Sequence, residues 1–172
     1  MRRRPGLLVA FLHVVLALGL FLAAELELRS LPKAWVRVVE FSPIKPARGE
    51  RIWLSLEVFP ADGRIPDPSA DIPGKPLRAS RLFVREGRLT AELSRGAPGL
   101  YAALHTSPAG RVSLMLPRAV QALVPAKIPD LPIGAGGAPE FQVEVAVPEW
   151  GPPRPLRMAM RGGGGVIVFP CE

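Results

Sequence analysis

The sequence predicts an all-β, or mainly β, domain behind a single N-terminal transmembrane helix. Three observations carry this expectation. Leu7 to Ala24 is an unbroken apolar run. The 21 prolines and 17 glycines are spread along the whole chain of 172 residues at close to twice their usual share, which suits short strands and turns and opposes long helices. Beyond the apolar run, hydrophobic residues recur at every second position, with no sustained period of 3.6. The expected organisation is a membrane anchor over residues 1–24, a juxtamembrane linker over 25–33, and an extracytoplasmic β-rich domain over 34–172. A domain of that size buries about two-thirds of its unfolded surface, enough for a core without disulfides or metals. Antiparallel pairing in a sandwich or a small barrel is the expected architecture.

The anchor comes first. Eighteen residues at 1.5 Å each span about 27 Å, close to the hydrocarbon thickness of a bilayer. Within that layer each backbone polar group needs an internal partner, so the segment is expected to be helical. His13 is its one polar side chain. Arg2, Arg3 and Arg4 precede the run, and Glu25 and Glu27 follow it. The positive-inside rule then places the N-terminus in the cytoplasm and the remainder outside a bacterial inner membrane. A cleavable signal peptide would carry a shorter apolar core and small residues ahead of the cut. Phe21 and Leu22 stand at those positions before Ala23 and Ala24, so an uncleaved signal-anchor is expected.

The strands follow in order. Residues 35–41 are β-branched and aromatic. Ile52, Leu54, Leu56 and Val58 alternate with Trp53, Ser55, Glu57 and Phe59, which predicts a strand with one buried face. Five prolines in residues 60–76 exclude a regular ladder there. Residues 81–86 and 88–94 on either side of Gly87 predict a hairpin. Residues 100–105 form a short strand. Residues 111–116 form another, continued after Pro117 by residues 120–124. Residues 128–139 are a second loop rich in glycine and proline. Residues 141–147, 156–160 and 166–169 complete the expected set of short strands.

Composition narrows the chemistry. The formal charge is +7, from 22 basic and 15 acidic residues, and the signs are mixed along the chain. The densest basic run, Arg78, Arg81, Arg85 and Arg88, is broken by Glu86 and followed by Glu92, so no nucleic-acid face is expected. Outside the anchor the chain holds one histidine, His105, and one thiol, Cys171. Neither structural nor catalytic zinc can be supplied from these alone, and no cofactor is expected. Cys171, at the penultimate position, reads as a free tail thiol. Asp62, Asp67 and Asp71 lack calcium-loop spacing. The four glycines 162–165 lack the helix and Gly-Lys-Ser/Thr of a phosphate loop. His105 has Ser107 nearby but no Gly-x-Ser-x-Gly elbow, so a non-enzymatic role is expected.

Residues 39–56 contain a further pattern: a strand, a Pro-x-x-Pro connection, then Arg48-Gly49-Glu50-Arg51 opening the next strand, with Leu54 and Leu56 inside it. This resembles the signature of the GDYXXLXY family of membrane-anchored bacterial proteins, an Arg-Gly-Asp-Tyr-x-x-Leu-x-Tyr run after a Pro-x-x-Pro connection. Arg48, Gly49 and Leu54 match. Glu50 stands where the family has Asp, and Arg51 and Leu56 stand where it has Tyr. Gly110-Arg111-Val112, Leu123-Val124-Pro125 and residues 141–160 are similar in order to later family segments. The resemblance implies an anchored extracytoplasmic protein working beside an integral membrane partner, with no catalytic residue to carry over. Gly49 is expected to turn the chain, with Arg48 or Glu50 holding the turn, so the motif is expected to be structural.

The leading expectation is an interaction or accessory module for an integral membrane partner. Two rivals make different demands. An envelope hydrolase built from Asp/Glu and His105 needs that histidine in a concavity beside a carboxylate or serine. A periplasmic ligand- or glycan-binding domain needs Trp35, Trp53 and Trp150 grouped on one face.

Overall fold

The computed structural model describes residues 5–42, 51–66, 76–107, 110–123, 140–162 and 165–171. The chain divides into two compact units, Met1–Leu31 and Pro32–Glu172.

The first unit is helix α1, Pro5–Ser30. It is apolar on every side and none of its Val9–Ser30 window is buried, and this stretch is long and apolar enough to cross a membrane. His13 is accommodated locally, its Nδ1–H donating to the Val9 carbonyl oxygen at 2.8 Å. The helix runs six residues past Ala24, so residues 25–30, expected in the linker, are helical instead. Arg29 Nε donates to Glu25 Oε1 one turn back at 3.0 Å, and Ser30 Oγ donates to the Glu27 carbonyl at 2.8 Å. Pro32 then stops the helix. Arg2, Arg3 and Arg4 lie outside the described residues.

The second unit is mostly β. Its strands are β1 (Lys33–Ser42), β2 (Arg51–Pro60), β3 (Leu77–Arg85), β4 (Arg88–Arg95), β5 (Leu100–Tyr101), β6 (Ala103–Thr106), β7 (Val112–Leu123), β8 (Glu140–Ala146), β9 (Arg154–Gly162) and β10 (Gly165–Pro170). The strand path is β10-β9-β8-β1-β2-β4-β3-β5, with β7 also on β2 and β6 on β7. Pairing is antiparallel except where the end of β2 meets β4 in parallel, Phe59 beside Thr90. The sheet is therefore mixed and open, and it folds over into a sandwich rather than closing as a barrel.

Two strands do the joining. Residues 33–37 of β1 pair with β8, and residues 38–42 pair with β2. β2 pairs with β1 and β7 along most of its length and with β4 at its end. The alternation read from the sequence puts Ile52, Leu54, Leu56 and Val58 in the core, with Val36, Leu89, Leu114, Leu116, Val143 and Val145. Its other face was expected to meet water, yet Ser55 and Glu57 are buried too. The reason lies in β7. Leu54 faces Val120 and Leu56 faces Leu116, so residues 117–119 bulge. The Arg118 N–H, at a positive φ of 50°, donates to Ser55 Oγ at 3.3 Å.

Pro117 thus sits at a bulge inside one continuous strand, where its missing N–H is tolerated. Residues 100–105, expected as one strand, are two. The chain leaves β3 at Tyr101 and joins β7 at Ala103. Buried Ala102 makes the switch, its N–H donating to the Leu77 carbonyl at 3.0 Å.

Candidate functional site

Four strands, β1, β8, β9 and β10, present one outward face. Directly opposed residues in an antiparallel pair share a face, so the register places Trp35, Glu144 and Arg157 in one row. Arg157 Nε donates to Glu144 Oε2 at 2.7 Å, and its guanidinium lies 5.7 Å from the Trp35 ring centroid. The hydrogen bond to Glu144, then its negative charge, holds the Arg157 pKa above the ordinary arginine range. Arg37 and Glu140 form a second ion pair across this face at 3.5 Å.

The face ends at β10, which pairs with β9 from Gly165 to Pro170. Among the described residues nothing pairs with its other edge. Val166 and Val168 are exposed on the outward face, while Phe169 packs against the core from the other side. The strand carries no charge. An uncharged six-residue edge with apolar side chains on both faces is a template for another strand, because half of its N–H and C=O groups point away from β9. Cys171 follows directly. Rather than a loose tail thiol, it is half-buried, packs on the core and donates its N–H to the Leu156 carbonyl at 2.9 Å. Burial pushes its pKa up to about 11.

A second cluster surrounds His105. The register places Glu40 beside Ser55, Glu57 beside Met115, and His105 beside Ser113, all on the face of β2 away from the core. His105 Nδ1 is 3.9 Å from Glu40 Oε1, beyond hydrogen-bond length. Arg111 Nη2 is 3.6 Å from buried Glu57 Oε1. Ser107 Oγ accepts the Arg111 N–H at 3.1 Å in the turn between β6 and β7. Among the described residues no serine is hydrogen-bonded to His105, and no group of three His, Cys, Asp or Glu side chains is placed to hold a metal ion.

The remaining residues singled out by the sequence divide clearly. Arg48, Gly49 and Glu50 lie outside the described residues, as do residues 67–75 of the first loop and all of 128–139. Arg51 opens β2 and is exposed. Leu54 and Leu56 are fully buried, each contributing about 1.5–3 kcal/mol through burial, so both act in the core. Trp35 and Trp53 are far apart: Trp53 faces Ser42 at the end of β1, seven residues and roughly 23 Å along the strand from Trp35. The three indoles form no single platform.

Arg78, Arg81, Arg85 and Arg88 share the outer face of the β3–β4 hairpin. Arg81 faces Glu92, Arg78 Nη1 donates to the Gly99 carbonyl at 2.9 Å, and Arg88 stacks on Phe59 at 5.1 Å. A groove of about 470 Å³ beside this hairpin is lined by Asp62, Arg64, Leu77, Glu92 and Ser94 among others. Its charges are of both signs.

The open edge of β10 was missed by sequence reasoning. Residues 166–169 read correctly as a strand, but edge position depends on which strands pair, and β10 is last only because β9 and β8 lie between it and β1. No family model, curated protein or solved structure matches the chain.

Proposed function

We propose that the chain is a membrane-anchored interaction module that receives an extended segment of an integral membrane partner along β10. The observation that carries this reading is the uncharged β10 edge, unpaired among the described residues, on a domain joined to an apolar helix. Strand addition takes its affinity from main-chain hydrogen bonds and its selectivity from pockets for alternate side chains. Val166 and Val168 offer apolar contact on one face, and Ile167 and Phe169 on the other.

In the same reading the N-terminus is cytoplasmic and the β domain extracytoplasmic, because three arginines precede α1. The resemblance to the GDYXXLXY proteins supports an accessory role beside a polytopic neighbour. A photo-crosslinker at Val168 of the full chain, activated in native membranes, is expected to capture an integral membrane protein, and Val168→Lys is expected to abolish that complex. Capture from residues 128–139 but not from Val168 would move the site off the edge.

A second reading, hydrolysis at His105, has the Glu40 carboxylate beside the imidazole in its favour. A fluorophosphonate probe that labels the chain, with labelling lost in His105→Ala, would establish it. Absence of labelling removes a serine mechanism.

A further inference from the structure

Among the described residues of the β domain, Trp150 is the most exposed large apolar side chain, 79% accessible. It lies in the turn between β8 and β9, followed by Gly151, at a φ of 96°, and by Pro152 and Pro153. The two prolines restrict the backbone on that side of the indole. The turn stands at the end of the domain where the chain arrives from α1. Its first residue, Val147, donates its N–H to the Pro32 carbonyl at 2.9 Å. Lys33 pairs with Ala146, and Ala146 with Arg154, so two exposed cations stand in the same row at that end, with Glu149 the one acid beside Trp150.

From this we infer that Trp150 is a second membrane contact, its indole seated in the phospholipid headgroup layer with Lys33 and Arg154 against the phosphates. The inference rests on the reading of α1 as a membrane anchor. Chain length supports it. Leu31 alone separates Pro32 from Ser30, the last residue of α1, so Pro32 stays within about 7 Å of the helix end. Trp150 is three residues from Val147 and so within about 11 Å of it. The apolar part of α1 matches the hydrocarbon layer, and residues 25–30 extend the helix by about 9 Å, to the outer side of a headgroup layer about 5–8 Å thick. Trp150 is thus within reach of the interface, where an amphipathic ring is more stable than in water or in hydrocarbon. Attraction of the flanking cations to anionic lipid acts in the same direction.

The chain has three tryptophans, so Trp35→Phe with Trp53→Phe leaves Trp150 as the sole indole. Full-length protein of this kind would be reconstituted into phosphatidylcholine–phosphatidylglycerol vesicles. The expected result is blue-shifted emission, quenched by lipids brominated near the carbonyl end of the acyl chain and shielded from aqueous iodide. Protein that floats with the vesicles while Trp150 stays open to iodide and insensitive to brominated lipid overturns this inference alone. Trp150 shielded from iodide but also insensitive to brominated lipid overturns it in favour of a protein contact. Protein that does not float overturns both this inference and the anchor reading. The wild-type spectrum minus that of Trp150→Phe reads the same indole if the double variant does not fold.

Discussion

Gly99 sits where the backbone leaves no room for a side chain. Its φ is +148°, and a Cβ there would collide with the backbone carbonyl of Ala79, just before the chain pairs Leu100 with Ala79. Gly99→Ala therefore adds backbone strain and a steric clash that no flexible side chain can relieve. It is expected to destabilise the domain by about 2–3 kcal/mol, read as a lower urea midpoint. Nothing in the sequence distinguishes this glycine from its sixteen companions, because the constraint comes from a strand twenty residues away. Leu54 and Leu56 were legible, since alternation alone assigns them to the core. Buried Ser55 and Glu57 were not: their face is covered by the bulge of β7 and the Arg111 side chain, which no local pattern encodes. Of the candidate site, Val166 and Val168 were readable as strand residues but not as edge residues.

At the level of elements, α1 and β10 make separable predictions. Leu16 lies midway along an apolar helix, so Leu16→Arg adds a charge at the centre of the proposed span, at a cost of about 2.5–3.5 kcal/mol on insertion scales. A shift of the full chain toward a carbonate-washed soluble fraction is the expected result. Cys171 tests the packing behind β10. Its thiol titrates near 11 in the folded domain against 9.0 unperturbed, so between those values the native state keeps a proton that the unfolded chain releases. This group's contribution to stability is complete below pH 9.0 and is lost as pH rises toward about 11. Alkylation of native Cys171 by iodoacetamide is accordingly expected to be slow at neutral pH, to quicken as pH approaches that range, and to become fast in urea. The hairpin of β3 and β4 was visible from Gly87 and its flanking alternation. The split of β5 from β6 was not, because Ala102 changes partner strands without any turn residue to announce it.

For the molecule as a whole, the two units predict that residues 32–172 fold without α1. Deleting residues 1–31 is expected to leave the urea midpoint of the β domain unchanged while the protein ceases to float with vesicles. Fold class followed from composition and period, because both are local. Topology did not, since β1 meets β8 and β2 meets β7 across long stretches of chain, and pairing at that separation leaves no periodic trace. The way β1 divides its partners has a mechanical consequence. A pull applied at Pro32 along the axis of β1 acts at right angles to the hydrogen bonds that tie it to β8 and then to β2. Such a load, opposed at the far ends of β8 and β2, is shared by all those rungs at once in shear, whereas a strand peeled from its end would lose them singly.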